Sequence, residues 1–187
     1  MHDPESWTPG EKVELLRTRI LTVHQQRFEY GADPSRSGDF VIIDCPDWVN
    51  IAAFTAESDP RLVMVEQYRY GTREVTLELP GGVIDAGETA LTAGPRELLE
   101  ETGYSGREPR PVGTVDANPA IMSNRSHAVL IEGCEKVREP QPDAHEALRV
   151  RLVGLAEVAG LVRNGKITHP IVLSALLRLA VDERIPL

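Results

Sequence analysis

The sequence predicts an α/β fold built on a mixed sheet. Two observations carry that reading. Apolar runs of strand length, such as those in "DPRLVMVEQYRYG" and "SHAVLIEG", are bounded by Gly, Pro and Asp, and helix-period segments fall between and after them rather than in a block of their own. The 187 residues suit one domain with an N-terminal extension, and 41% hydrophobic with 26% charged residues is the balance of an ordinary globular chain. No internal repeat is visible.

Taken in order, "MHDPESWTPG" is polar and rich in Pro and Gly, and reads as a loose terminus onto which Trp7 docks. "KVELLRTRILTVHQQRFEY" alternates in its later part and predicts a strand, "GADPSRSGD" a loop, and "FVIIDCPDWVNIAAFTA" a strand, a turn and a strand. "DPRLVMVEQYRYG" is a turn and an apolar strand with polar residues at its end, followed by a second strand in "EVTLELPGGVIDAGE" that Pro80, Gly81 and Gly82 interrupt. Helix period runs from about Thr92 to Thr102, with Gly103 as a left-handed stop. Pro95 is costly in a helix interior, so the regular helix is expected to start near Gly94 or to bend there. "PVGTVDANPAIMSNRSHAVLIEG" predicts strand, loop, strand; "ALRVRLVGLAEVAGLVRNG" a strand turning helical; "HPIVLSALLRLAVDE" a final amphipathic helix.

The net charge of -9 argues against a broad grip on nucleic acid or anionic lipid, which need clustered Lys and Arg, and suits a chain that holds divalent cations. Cys45 and Cys134 lie far apart without metal-type spacing or a secretory signal before them, and are expected to be reduced. No apolar run approaches the ~20 residues that cross a bilayer. The expectation is a cytoplasmic protein with neither nucleic acid nor membrane as partner.

The unusual stretch is "PRELLEETGY". On a helix Glu97, Glu100 and Glu101 stand at i, i+3 and i+4 on one stripe, where like charges cost about 0.2–0.5 kcal/mol per pair. They also fall in the last turns, where the helix dipole disfavours anions. A solvated acidic face and a hard-cation site both account for the cluster.

Context separates the two. Gly82 is followed after five residues by Glu88, after seven more by Arg96 and Glu97, and then by Glu100, Glu101 and Gly103. This segment resembles the Nudix box at each fixed glycine and polar position, with Tyr104 at a final position that is usually aliphatic. The flanking "VEQYRYG", "LELPGG" and "GKITHPIVLSALL" are similar to the ADP-ribose and nucleoside diphosphate sugar pyrophosphatase branch.

The resemblance implies an α/β/α sandwich and a homodimer whose N-terminal strands, residues 1–55, form a small antiparallel dimerisation sheet ahead of a Nudix domain over 56–187. It implies Mg²⁺, with Mn²⁺ as the alternative, bound by Glu97, Glu100, Glu101 and the carbonyl of Gly81, while Gly82, Glu88 and Arg96 support the loop and helix. The implied reaction is hydrolysis of the diphosphate linkage in ADP-ribose or a nucleoside diphosphate sugar, giving a nucleoside monophosphate and a sugar phosphate. Arg69 resembles the arginine that grips the diphosphate, Glu78 either meets a ribose hydroxyl or braces Arg69, and Trp48 or Phe28 is a candidate to stack a base.

One departure concerns the general base. Many relatives place a glutamate a few residues after a proline; here Pro119 is present, but Asn124 and Arg125 occupy the expected position. Glu146, Glu100, Glu101 and His127 are the remaining candidates. Rival readings are a nucleoside triphosphate pyrophosphohydrolase and a non-catalytic Nudix module that binds a nucleotide sugar. No box carboxylate is missing, which disfavours the second.

Overall fold

The computed structural model describes residues 6–31, 33–141, 147–182 and 184–186. Its contacts divide the chain into two compact units, Met1–Pro46 with Asp116–Asn124, and Asp47–Val115 with Arg125–Leu187.

The first unit is an antiparallel meander of β1 (Trp7–Arg17), β2 (Thr22–Tyr30) and β3 (Asp33–Asp44). Two expectations are corrected here. Residues 7–10 are strand rather than loose terminus, and β3 begins at Asp33 inside the expected loop. Every residue of β1 is exposed, so no buried face imposes alternation on its sequence, and Pro9 and Gly10 sit beside an irregularity in its register with β2. Trp7 packs against Tyr30 and Phe40, with ring centroids 5.5 and 5.9 Å apart, and Phe28 meets Phe40 edge-on. The 116–124 segment joins this unit through the Ile43 amide, which donates to the Ile121 carbonyl at 2.7 Å.

The second unit is a mixed sheet. It holds β4 (Trp48–Thr55), β5 (Arg61–Arg69), β6 (Glu74–Glu78), β7 (Gly81–Val83), β8 (Tyr104–Ser105), β9 (Arg110–Asp116), β10 (Arg125–Lys136) and β11 (Leu148–Gly154). The main path runs β11-β5-β4-β10-β8, with β6 on β5, β7 on β4 and β9 on β10. β4 and β10 are parallel, while β5 is antiparallel to both β4 and β11. Helices α1 (Ala90–Thr102), α2 (Leu155–Arg163) and α3 (Pro170–Val181) cover it.

Side-chain alternation along the central strands divides the core. Val49, Ile51, Val63, Val129 and Ile131 pack with Ala93 and Leu98 of α1. Ala52, Phe54, Leu62, Met64 and Leu130 pack with Val158 of α2 and with Val172 and Leu176 of α3. With both faces covered, strands such as β5 read as almost continuous apolar runs, and the architecture is the expected α/β/α sandwich. Each fully buried Leu or Ile adds about 1.5–3 kcal/mol. Among the described residues no helix is long and apolar enough to cross a membrane.

Helix α1 corrects the reading of Pro95. The helix starts at Ala90 and runs through the proline. Thr89 and Thr92 form a reciprocal cap, each side chain accepting from the other's backbone amide, which secures the first turn. The residue before a proline is pushed out of the helical region partly by its own Cβ, and that residue here is Gly94. Gly103 ends the helix at φ 74°, its amide donating to the Leu99 carbonyl at 3.0 Å.

Candidate active site

The turn from β7 into α1 draws the box residues together. β7 pairs with β4, setting Gly82 opposite Val49 and Gly81 opposite Asn50. The Gly81 amide donates to Glu101 Oε2 at 2.9 Å, so the loop is tied to the far end of the helix. A Cβ at Gly82 would lie 2.5 Å from the Glu97 carboxylate, so only glycine lets that side chain approach the strand.

Arg96 is the hub of the acidic stripe. Its Nε and Nη2 donate to the two oxygens of Glu88 at 3.1 and 2.8 Å, and Nη1 donates to Glu97 at 2.9 Å and Glu100 at 3.1 Å. The bond from Arg96 is the main reason the Glu88 carboxyl is held below its ordinary value, and the bond to Glu88 in turn raises the guanidinium pKa. The repulsion expected along the helix is thus offset by a cation on the helix itself. Glu101 is only 3% exposed, whereas the Glu100 side chain is 42% exposed.

Gly81, Gly82, Arg96, Glu97, Glu100 and Glu101 line a cleft of about 910 Å³, which Trp48, Arg69, Glu78, Gln141 and His169 also line. Arg69, at the end of β5, donates through Nε and Nη2 to Glu78 at 2.8 and 2.6 Å, and the Thr76 hydroxyl adds a bond of 2.5 Å. Glu78 is 2% exposed. Burial pushes its pKa up, but the bonds from Arg69 and Thr76 and the guanidinium charge outweigh that and hold it below 4.5. Glu78 therefore braces Arg69.

Other sequence candidates fall elsewhere. Phe28 belongs to the first unit's sheet, and His127 lies between Asp47 and Thr114, at 3.1 and 3.0 Å, outside the cleft lining. Glu146 lies outside the described residues. Sequence reasoning missed Asn50, Gln67, Gln141 and His169, all of which line the cleft. Gln67 had a readable signal, as a polar residue at the end of an apolar strand.

Among the described residues no group of three or more His, Cys, Asp or Glu side chains converges closely enough to hold a metal ion unaided. Mg²⁺ does not require such a group, because it keeps several waters and uses one or two carboxylates together with substrate phosphates. The donor set here is entirely hard carboxylate and carbonyl oxygen, and its chemistry fits that ion.

Comparison with known proteins agrees with this geometry. The NUDIX domain model matches residues 47–175. The chain is 35% identical over 126 residues to putative nudix hydrolase 2 of Caenorhabditis elegans, a match covering 64% of this chain and 56% of that protein. It therefore spans little more than half the length of that relative. It is 26% identical to the ADP-ribose pyrophosphatase of Bacillus subtilis over 157 residues, 83% of each chain. The crystal structure of an ADP compounds hydrolase shares its fold, with a TM-score of 0.82 at 20% identity over 99% of this chain and 100% of that one. A box complete at its fixed positions, set in this sandwich and matched by the family model over most of the chain, means that the chain belongs to the Nudix family.

Proposed function

We propose that this cleft hydrolyses the diphosphate linkage of ADP-ribose or a nucleoside diphosphate sugar, with Mg²⁺ as cofactor, giving a nucleoside monophosphate and a sugar phosphate. The observation that carries the reading is one cleft lined both by the acidic stripe of α1 and by a braced arginine. Similarity to the ADP-ribose pyrophosphatase of Bacillus subtilis over 83% of the chain supports the substrate class.

Nudix hydrolases generally use divalent metal ions, and Glu97, Glu100, Glu101 and the Gly81 carbonyl would hold one here. Bound there, the ion would neutralise diphosphate oxygens and lower the pKa of the attacking water. Arg69 meets the diphosphate, its fork pre-oriented by Glu78 so that little ordering is needed on binding. Glu88 and Arg96 keep loop and helix in register. A carboxylate takes the proton of the attacking water, and Glu100, the most exposed of the stripe, is the leading candidate, with Glu101 and Glu146 as the others. Trp48 offers a face for the base. The N-terminal sheet exposes Val13, Leu15 and Leu16, and the turn after β1 exposes Ile20, which suits the dimer interface of a homodimer.

The test is chromatographic product analysis after incubation with Mg²⁺ and, separately, ADP-ribose, ADP-glucose, GDP-mannose and ATP. AMP and ribose 5-phosphate from ADP-ribose, abolished by EDTA, are expected. Turnover of ATP alone would transfer the protein to triphosphate chemistry. Binding without turnover in either Mg²⁺ or Mn²⁺ would make it a binding module.

A further inference from the structure

Gln67 is 9% exposed and lines the cleft. Among the described residues its side-chain amide has no hydrogen-bond partner, yet neither amide atom is closed off from solvent. Strand alternation shows which way the side chain points. Val63, Val65, Gln67 and Arg69 share one face of β5, and Val63 packs with Ala93 and Leu98 of α1, the helix that carries the acidic stripe. The accessible surface of Gln67 therefore opens on the cleft, on the same face as Arg69.

The neighbours leave the amide unsatisfied. Gln67 stands opposite Leu148 of β11 on one side and Thr76 of β6 on the other, with Val65 before it on the same face. Leu148 and Val65 are apolar. The Thr76 hydroxyl has a single proton, directed at Glu78 Oε1 at 2.5 Å, and Arg69 donates through Nε and Nη2 to the same carboxylate. A mostly buried amide with nothing in the protein to bond gives the fold less than an apolar side chain of that length would, so its place on this apolar strand has another reason. An amide donates and accepts, and so does a hydroxyl, whereas the oxygens of a diphosphate only accept and already have Arg69.

We propose that the Gln67 amide is a specificity-determining group that binds a sugar hydroxyl of the nucleotide sugar, accepting a hydrogen bond through Oε1 and donating one through Nε2. The assignment rests on the functional reading above, so its test separates the two. Gln67→Met keeps the length of the side chain and removes both donor and acceptor, and Gln67→Leu is a second apolar replacement. Thermal melting is recorded without ligand. Kd is measured by calorimetry in EDTA, and KM in Mg²⁺, for whichever of ADP-ribose, ADP-glucose and GDP-mannose the wild type turns over fastest, and Kd also for the matching nucleoside diphosphate.

The expected result joins two readouts that a structural amide would not give together: melting at or above the wild-type temperature, and a rise of about tenfold in Kd and KM for the nucleotide sugar. The nucleoside diphosphate, which lacks the terminal sugar, distinguishes the hydroxyls: the penalty vanishes if the terminal sugar is bound and persists if the nucleoside ribose is. A lowered melting temperature in both variants would make the amide a structural group, and unchanged Kd and KM would leave it without a ligand; either overturns the Gln67 assignment alone. A wild type that binds and turns over none of the three nucleotide sugars would remove the functional reading, and this assignment with it.

Discussion

Two arginines in one cleft hold their glutamates in opposite ways. Arg69 donates two bonds to one almost fully buried carboxylate, Glu78, whereas Arg96 spreads its donors over Glu88, Glu97 and Glu100. The first arrangement balances its charge and orients a fork. The second gathers three carboxylates around one guanidinium. Balance marks a scaffold, and imbalance marks a place where further positive charge is favourable.

The largest effect is expected where balance is broken from the exposed side. The Arg69 side chain is 40% exposed and Glu78 2%, so Arg69→Ala strands a buried carboxylate, while Glu78→Ala frees an arginine that water can reach. Urea unfolding should show a loss of about 3 kcal/mol for Arg69→Ala, the low end for a broken buried pair because Thr76 still donates to the carboxylate, and clearly less for Glu78→Ala. Equal losses would remove the asymmetry. Next, Glu101→Gln retains an acceptor for the Gly81 amide, so its thermal midpoint should stay near wild type while Mg²⁺-dependent kcat falls by at least about a hundredfold. Unchanged turnover would end its role as a ligand.

Arg96→Ala tests the imbalance directly. Without its hub the stripe should cost about 2 kcal/mol in EDTA, and millimolar Mg²⁺ should recover more of that loss than it adds to the wild type. The smallest effect is a pH dependence in two windows. Glu78 has its folded pKa below 4.5, so its contribution to stability is present above 4.5 and is lost as pH falls through the lowered value. His169 has its folded pKa below 6.5, so the unfolded state takes up a proton first and stability already declines as pH falls below 6.5. Melting scans from pH 8 down to about pH 2 should show the acid loss reduced in Glu78→Gln and the earlier decline absent in His169→Asn.

Legibility in the sequence followed burial. β5 and β10 could be read because their neighbours bury them on both faces, and Glu97, Glu100 and Glu101 because helix spacing alone puts them on one stripe. The starts of β1 and β3 were misread, since β1 has no buried face to impose alternation. The start of α1 was misread because the cost of Pro95 was weighed without the relief that Gly94 and the Thr89–Thr92 cap provide. Asn50, Gln141 and His169 reach the cleft only through long-range contacts, which a single sequence by itself cannot reveal.

The parallel pairing of β4 with β10 has a consequence in time. The Asn50 amide donates to the Ser126 hydroxyl at 3.1 Å across 76 positions of chain, in the middle of the sheet. During synthesis β4, β5 and β6 can zip together as local hairpins, but the inner edge of β4 has no mate until β10 has left the ribosome. The apolar edge must wait through that interval, and a loop of this length closes slowly. Refolding from denaturant should therefore be limited by this one junction, and a circular permutant opened between β4 and β10, which sets the two strands further apart along the chain, should refold more slowly.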